Sequence, residues 1–599
     1  MPDEVELDTE IMRTLNRLRM TGKYCDVVLA TEDGGMFRVH KAAMCWCSSY
    51  FRTVFTTSLA DLTSGDKSKT RNFILIPNVS ASILETIIHY AYSGKTLVNE
   101  DNVNELLPAA DQFDVEGMVD YCTKFLLKSL SAENCLGIWR FGKDYFIKSL
   151  EQEAFRFVLN HFPAVVETSE EFFELSDSSL KCILKEDTLN TKKELPVWKS
   201  IRRWCDYKLT ERLPYIPTLL QCVRLAVMPI KDFQEVIDDD KVKNYECGVF
   251  TSLVAKYILG KEIKFLSASE FQKVEPLFIP RLPHDVLFCL GGWSLSGPTN
   301  LLEVYDCRID NWKLVELEHS IWPRVYHKCI SYAHYIYVLG GSEGFSCLNT
   351  CLRFDTLAKK FEEVSPMHER RCYLSAVLLS DKIYAIGGYN GDDRLGTVEE
   401  YNIQLNQWRY VAPMYVKRSD ASACSLRQRI IVVGGFNGVD PLRSVEVYYS
   451  VFNQWYLLQE MNTCRSGVGS VILGNCIYAI GGFDGNQRER SVEKYDFENK
   501  QWSAIKPMSR PRSNFAVEVL EGKIYVIGGY DDVAELPTQE CECFDPSIQR
   551  WQRTAPLSIG RSGLSVCIQS GLRNIEDYIV DKITRCRLKD PIIINHEKE

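Results

Sequence analysis

Histidine and long apolar runs are both scarce in this chain of 599 residues, and each scarcity narrows the possible functions. None of the nine histidines lies between His368 and His596, so a metal site built from imidazoles across that stretch is not expected. No run of about 18 apolar residues occurs, and no basic start precedes an apolar segment. We therefore expect no membrane span and no signal peptide, and a cytoplasmic location.

Cysteine is plentiful, with 22 residues, but no two cysteines have the CxxC spacing. The close pairs Cys45-Trp46-Cys47 and Cys541-Glu542-Cys543 are not completed by a second Cys or His pair, so we expect no metal site and no disulfide framework. Whether any thiol senses redox state is left open, because reactivity depends on a local pKa. The net charge of -10 argues against nucleic acid as a ligand. No Walker-type phosphate loop is present, and we predict a non-catalytic protein without a cofactor.

A pair of adjacent glycines recurs six times in the second half of the chain, at intervals of about 47 residues. The pairs are Gly291-Gly292, Gly340-Gly341, Gly387-Gly388, Gly434-Gly435, Gly481-Gly482 and Gly528-Gly529. A β-branched and aromatic run, such as residues 383–386, ends at each pair and is typical of a strand. An aromatic pair such as Tyr401 and Trp408 follows in each repeat. Four short strands per repeat predict an all-β propeller with six blades.

The two ends of the repeated region predict how the ring closes. Residues 562–568 form a strand pattern with no Gly-Gly strand after it, and residues 286–290 form a Gly-Gly strand with no strand before it. Pairing the two would complete the first blade and leave no open edge. In the second blade, Phe361 replaces Trp and Leu352 replaces the Glu of the other repeats. We expect that blade to pack more loosely.

The first half of the chain changes to helical periodicity. Residues 25–30 and 36–40 predict a hairpin, followed by a helix from Lys41 to Phe55, a strand at residues 73–76 and helices near residues 80–92, 102–113 and 116–130. From about residue 131 to 260 the pattern is helical throughout. His40 lies beside a lysine, but no nucleophile is placed near it, so a structural role is expected.

Two sets of loop residues of the propeller are candidates for recognition. One set follows the Gly pairs directly, with Arg394 and Arg488 five residues further on in their blades. The other set follows an arginine that recurs in every blade: Arg324, Arg371, Arg418, Arg465, Arg512 and Arg561. An arginine that every blade contains is expected to bind backbone carbonyls rather than to discriminate between ligands. Tyr and Arg are common anchors of protein interfaces, so the residues that differ between blades carry more information.

The Gly-Gly, Tyr and Trp marks over residues 286–570 resemble kelch repeats. Upstream, Cys25-Asp26-Val27-Val28-Leu29, His40-Lys41 and Ala109-Ala110-Asp111-Gln112-Phe113 resemble a BTB (POZ) domain, and the following helical segment resembles a BACK domain. The resemblance implies an α/β BTB domain (residues 1–130), an all-α BACK domain (131–265), a linker (266–285), an all-β six-bladed propeller (286–570) and a C-terminal tail (571–599). This order is that of the kelch-like family.

The resemblance implies a homodimeric adaptor of a cullin-3 ubiquitin ligase, in which BTB dimerises and binds cullin-3 while kelch recruits a protein substrate. Leu59 and Asp61 occupy the family's hydrophobic-x-Glu cullin motif, with Asp in place of Glu. The substrate-binding residues that it implies are Tyr389, Arg394, Ser419, Phe436, Ser466, Phe483, Arg488, Ser513, Tyr530 and Ser562. Loop segments such as Arg370-Arg371-Cys372-Tyr373 are most similar to the family member that acts in developing sperm cells. The alternative is a cytoskeletal scaffold, because several relatives bind actin.

Overall fold

The computed structural model describes residues 4–56, 73–243, 277, 279–317 and 322–580. The chain forms two compact units. The first contains Met1–Glu186, Thr191–Leu220 and Asp239–Cys247, and the second contains Asp187–Asn190, Gln221–Asp238 and Gly248–Glu599. Within the described ranges, no helix is both long and apolar enough to cross a membrane.

The N-terminal part of the first unit is an α/β structure built around one small sheet. Its elements are α1 (Glu4–Met20), β1 (Val27–Thr31), β2 (Met36–Val39), α2 (Lys41–Cys47), α3 (Ser49–Thr56), β3 (Phe73–Ile76), α4 (Ala81–Ser93), α5 (Val103–Gln112) and α6 (Glu116–Lys128). Strand β1 is central, antiparallel to β2 and parallel to β3. Helix α4 buries Leu84, Ile87, Ile88 and Ala91 and contacts α1, α2 and the sheet, so it forms the core.

The predicted helix from Lys41 to Phe55 was wrong in one respect, because the structure divides it at Ser48. The Ser48 backbone is extended, with φ -145 and ψ 124. Its hydroxyl donates to the Phe113 carbonyl at 2.5 Å and accepts from the Phe51 N–H at 3.1 Å. The second hydrogen bond caps the new helix, which explains the break. His40 is buried, and its Nδ1 lies 2.8 Å from the Tyr92 hydroxyl, as expected for a structural histidine.

The following segment is helical from Cys135 to Lys243, as its periodicity predicts, and the rest of the predicted helical stretch, residues 244–260, lies outside the described residues. The helices are α7 (Cys135–Asp144), α8 (Lys148–Asn160), α9 (Phe162–Thr168), α10 (Asp177–Lys185), α11 (Leu195–Tyr207), α12 (Leu209–Arg212), α13 (Ile216–Leu220), α14 (Ile230–Ile237) and α15 (Asp240–Lys243). Arg212 is buried against the Trp204 ring, 4.1 Å from its centroid, and donates to the carbonyls of Trp204 and Phe173. A single arginine thus joins the α11–α12 turn to the segment before α10.

The second unit consists mainly of six four-stranded antiparallel sheets, which confirms the predicted blades. The first sheet is β4 (Asp285–Ser294), β5 (Gly297–Asp306) and β6 (Asn311–Leu314) with β30 (Ser565–Ser570), and the second is β7 (Lys328–Tyr332), β8 (Tyr335–Leu339), β9 (Cys351–Asp355) and β10 (Lys360–Val364). The third is β11 (Ser375–Leu379), β12 (Lys382–Ile386), β13 (Val398–Asn402) and β14 (Gln407–Val411), and the fourth is β15 (Ser422–Leu426), β16 (Arg429–Val433), β17 (Val445–Tyr449) and β18 (Gln454–Leu458). The fifth is β19 (Gly469–Leu473), β20 (Cys476–Ile480), β21 (Val492–Asp496) and β22 (Gln501–Ile505), and the sixth is β24 (Ala516–Leu520), β25 (Lys523–Ile527), β28 (Cys541–Asp545) and β29 (Arg550–Thr554). A smaller sheet joins β23 (Arg512–Ser513), β26 (Tyr530–Asp531) and β27 (Leu536–Pro537).

The first strand of each sheet contacts the first strand of the next, and the contacts run in a closed cycle: β7, β11, β15, β19, β24, β30 and back to β7. Strand β30 pairs antiparallel with β4 from Ser565 opposite Leu290 to Ser570 opposite Asp285. The C-terminal strand therefore completes the first blade, as predicted. The sheets surround a common axis, with these first strands innermost.

The repeated arginine connects each sheet to its neighbour. The Arg418 carbonyl accepts a hydrogen bond from the Gly388 N–H of the preceding sheet at 2.9 Å. The Arg418 guanidinium donates to the Gly434 carbonyl of the following sheet at 2.7 Å. A Cβ on Gly387 would lie 2.4 Å from the Arg418 carbonyl oxygen, and Gly387 has φ +57. Only glycine fits there, so the Gly pair and the arginine form a single connection between blades.

Five of the six arginines also pair with a buried glutamate of their blade. The pairs are Arg371–Glu399, Arg418–Glu446, Arg465–Glu493, Arg512–Glu542 and Arg561–Glu303. Arg324 is the exception, because Leu352 stands in the place of the glutamate. Its guanidinium donates to Gly340 and Thr350, and burial lowers its pKa.

The tryptophan of the repeat forms a further connection between blades. The Trp408 indole N–H donates to the Ser365 carbonyl of the preceding blade at 2.8 Å, and the Trp455 N–H donates to the Ala412 carbonyl at 2.7 Å. Phe361 has no such donor and contacts Phe354 within its own blade, with ring centroids 4.7 Å apart. The second blade thus lacks two polar contacts that the other blades have, in line with the looser packing expected from its sequence.

We expect Arg418→Met to destabilise the second unit more than Arg324→Met. Removing Arg418 leaves Glu446 buried without a cation, which lowers the free energy of unfolding by about 3 to 5 kcal/mol. Removing Arg324 leaves only carbonyl and hydroxyl groups without their donor, which lowers the free energy of unfolding by about 1 to 3 kcal/mol. Urea unfolding of the full chain, followed by tryptophan fluorescence, ranks the two variants. The double variant Arg418→Met with Glu446→Leu should recover part of the loss; equal losses in the two single variants would contradict the ion-pair explanation.

Candidate functional site

The two predicted loop sets meet at one end of the second unit. The residue after each repeated arginine pairs through its backbone with the residue after the Gly pair of the same sheet. The pairs are Val325 with Ser342, Cys372 with Tyr389, Ser419 with Phe436, Ser466 with Phe483, Ser513 with Tyr530 and Ser562 with Trp293. All ten residues predicted to bind substrate lie at this end, which we call the rim; their contact with a substrate stays a prediction.

Half-buried aromatic rings and arginines form the outer part of the rim. The Arg394 guanidinium lies 4.2 Å from the Tyr389 ring centroid and 5.4 Å from that of Phe436. The Arg488 guanidinium lies 4.2 Å from the Tyr530 centroid and 5.9 Å from that of Phe483. Cation–π contact of this kind holds each arginine against its rings.

The two arginines differ in their electrostatic surroundings. Arg488 donates to Asp532 Oδ1 at 2.5 Å and to Ser513 Oγ at 3.1 Å, so a carboxylate already balances its charge. Arg394 forms no ion pair with a carboxylate in the described part of the chain, and its contacts are with aromatic faces. An anionic group of a ligand would therefore gain more from Arg394 than from Arg488.

Three of the four predicted serines are buried. Ser419, Ser513 and Ser562 have exposed fractions of 0%, 3% and 4%. The Ser513 hydroxyl accepts from Arg488, and the Ser419 hydroxyl donates to Asp420 Oδ2 at 2.6 Å. In this structure these hydroxyls position neighbouring side chains of the rim, and direct substrate contact by them stays a prediction.

The innermost part of the rim is a closed ring of six backbone hydrogen bonds. Each ring residue is the second after a repeated arginine, has positive φ, and donates its N–H to the preceding member at 2.7 to 3.0 Å. The members are Tyr326, Tyr373, Asp420, Gly467, Asn514 and Gly563. They line a small cavity of about 50 Å³. The backbone of all six blades is thus tied together beside the candidate binding surface.

Asp420 is the acidic group of this ring. Burial raises the pKa of its carboxyl to about 6, against the opposing influence of the Ser419 hydrogen bond and the Arg394 charge. The Tyr326 and Tyr373 rings lie next to each other, with centroids 4.0 Å apart. Sequence reasoning missed Asp420, although the position changes from blade to blade, which is the signal that selected Arg394 and Arg488.

No metal centre is evident at the rim. Within the ranges that the structure describes, no group of three or more His, Cys, Asp or Glu side chains is placed to hold a metal ion. The predicted cullin-binding residues Leu59 and Asp61 lie in the segment 57–72, outside the described residues.

Family models match almost the whole chain in three parts. The BTB/POZ domain model matches residues 15–130. The model described as "BTB And C-terminal Kelch" matches residues 135–238. The KLHDC2/KLHL20/DRC7 Kelch-repeats domain model matches residues 282–464 and 375–571. These matches follow the order of the small α/β structure, the helical segment and the six sheets.

We expect Asp420→Asn to stabilise the protein at neutral pH but not in acid. Because the folded-state pKa of Asp420 is about 6 and the usual value is about 3.9, folding favours the neutral form. The wild type loses stability as pH rises through about 6, and regains it as pH falls toward about 4. The variant should be more stable by about 1 to 2 kcal/mol at pH 7.5, with no difference near pH 4. Urea unfolding at both pH values measures this, and a difference independent of pH would contradict it.

Proposed function

Because the chain belongs to the BTB–BACK–kelch (kelch-like) family, we propose that it is a substrate-specific adaptor of a cullin-3 RING ubiquitin ligase. This domain architecture is typical of such adaptors. In the proposal the BTB domain forms a homodimer and binds cullin-3, and the rim of the kelch propeller recruits a protein substrate for ubiquitination. The adaptor itself carries out no chemistry.

The observation that carries this proposal is the combination of a BTB domain with a rim that differs between blades. The repeated arginines are buried and used by the scaffold, so they are not available to a ligand. Arg394 and Arg488 are half-buried, held on aromatic rings and present in only two blades. A rigid, one-sided display of Tyr, Phe and Arg is typical of a protein-binding surface.

The charge of the rim favours a substrate segment with an acidic or carbonyl-rich part. Arg394 lies beside the Tyr389 and Phe436 rings and has no carboxylate partner among the residues that the structure describes. A bidentate carboxylate could bind its outer edge while apolar side chains contact the rings. At the Arg488 side, Asp532 would repel a second acidic group. The proposed substrate is therefore asymmetric in charge along the rim.

The cellular setting is part of the proposal and rests on resemblance. The loop segments similar to the sperm-cell member of the family support a role during spermatogenesis, in the cytoplasm. The rival function is a non-catalytic scaffold that binds actin. It shares the propeller and the dimer but does not require cullin-3, so cullin capture separates the two.

We expect the full chain to capture cullin-3 and Leu59→Ala to reduce that capture at least about tenfold, because the variant removes the apolar anchor of the motif. Purified protein and cullin-3 are compared by pull-down or calorimetry. The matched control is Arg394→Ala with Arg488→Ala, which should capture cullin-3 like the wild type. If the wild type captures no cullin-3, the adaptor proposal fails and the scaffold gains support.

The same double variant should lose substrates. Proximity labelling in native tissue, comparing wild type with Arg394→Ala plus Arg488→Ala, should show a set of partners depleted at least about fivefold, while cullin-3 labelling is unchanged. The control is Arg429→Ala, which removes a cation–π contact with Tyr449 at the opposite end of the sheets. Equal partner sets for the rim variant and the wild type would contradict recognition by the rim.

A further inference from the structure

Two cysteines occupy a pair of facing variable positions of the rim. The residue six positions after the second glycine of a Gly pair faces another residue, the one that directly follows the next repeated arginine. Between the fifth and sixth blades these are Arg488 and Ser513, whose Nε and Oγ are 3.1 Å apart. The equivalent pair near the second and third blades is Cys347 and Cys372, whose sulfur atoms are 2.8 Å apart. We propose that Cys347 and Cys372 form a dithiol site that hydroperoxides oxidise to a disulfide.

The backbone positions this pair from both sides. Cys347 bridges to Ser342, and Cys372 bridges to Tyr389 with a hydrogen bond of 2.9 Å from the Cys372 N–H to the Tyr389 carbonyl. The next residue, Tyr373, belongs to the ring of six hydrogen bonds. A disulfide bond is about 2.0 Å long, so the sulfur atoms need to approach by less than about 1 Å. Side-chain rotation can supply that movement while the ring stays intact.

The two thiols are suited to different steps. Cys347 is half-exposed, and the hydrogen bond from Cys372 together with the Arg370 and Arg394 charges lowers its pKa. A lowered pKa increases the thiolate fraction, and the thiolate is the form that attacks peroxides. Cys372 is 2% exposed and its pKa is raised, so it stays a thiol until its partner is oxidised. The other described cysteines with a shifted pKa all have it raised, so Cys347 stands apart.

The proposed reaction balances with one hydroperoxide as the oxidant. The Cys347 thiolate attacks the outer oxygen of the O–O bond, which breaks, and the departing alkoxide takes up a proton to leave as an alcohol, or as water from hydrogen peroxide. The resulting Cys347 sulfenic acid is attacked by the Cys372 sulfur. The S–O bond breaks, the S–S bond forms, and the hydroxide leaves as water with the Cys372 proton. Two electrons pass from the dithiol to the peroxide, and a thiol reductant returns them by exchange.

The disulfide would form within the candidate recognition surface. Cys372 is paired with Tyr389, the ring on which Arg394 lies. Arg394 also contributes to the charge around Cys347, so oxidation removes a thiolate beside a rim arginine that lies against aromatic rings. The chemistry of the site is independent of the proposed cullin-3 function, and it is tested without any partner.

The test maps disulfides in the purified full chain after exposure to hydrogen peroxide near one equivalent. Free thiols are alkylated, the protein is digested with trypsin, and cross-linked peptides are sequenced by mass spectrometry. Cys329, Cys347 and Cys351 share one tryptic peptide, so fragment ions are needed to assign the sulfur. We expect a Cys347–Cys372 cross-link that a thiol reductant removes. Circular dichroism verifies that each variant is folded.

Matched variants keep the inference falsifiable. Cys347→Ser should abolish the cross-link, whereas Cys351→Ala, in the same peptide, should retain it. Arg370→Gln leaves both sulfurs in place but removes one cation beside Cys347, and should slow cross-link formation about threefold at pH 7. A cross-link through Cys351 or Cys329, or full alkylation of Cys347 and Cys372 after peroxide, would overturn the proposal.

Discussion

The buried arginine that recurs in every blade is the interaction on which the rest of the second unit depends. Its carbonyl accepts a hydrogen bond from the N–H of a glycine in the preceding sheet, and its guanidinium donates one to the carbonyl of a glycine in the following sheet. The same arrangement runs from Arg324 to Arg561, whose guanidinium reaches Gly291 in the first sheet. Neighbouring sheets are thus joined by directional hydrogen bonds as well as by apolar packing. The requirement for glycine follows from the close approach of the arginine carbonyl.

This scaffold explains why recognition is left to the positions next to the arginine. Since the backbone is set by arginine, glycine and the ring of left-handed residues, the adjacent side chains can change without altering the fold. Arg394 and Arg488 use equivalent positions but differ in charge balance, because Asp532 accompanies only the second. Cys347 occupies the position of these arginines, and Cys372 occupies the position of Ser513, so the same frame places two thiols together. Equivalent backbone positions therefore carry side chains of different chemistry around the rim.

Repetition made the sheets, their number and the closing strand predictable from sequence. The glycine pairs, the aromatic marks and the unpaired strands at the two ends each depend on local spacing, which a sequence displays directly. The arginine was also correctly predicted to bind backbone carbonyls. What escaped prediction depends on contacts distant in sequence: the break at Ser48, which depends on Phe113, and the burial of Ser419 and Ser513. The approach of Cys347 to Cys372 and the raised pKa of Asp420 likewise arise only when blades meet.

The pairing of β30 with β4 has a consequence for how the protein is made. Among the strands of the six sheets, the ribosome synthesises β4 first and β30 last. The first sheet therefore lacks its innermost strand until the other five sheets have been synthesised. During that time β4 has an unpaired edge, and the interface between the first and last blades is absent. Long-range pairing of this kind makes folding slow and exposes strand edges to other chains. A nascent chain of this protein should therefore depend on chaperones until its final strand emerges, and premature termination near the C-terminus should yield an open, aggregation-prone ring.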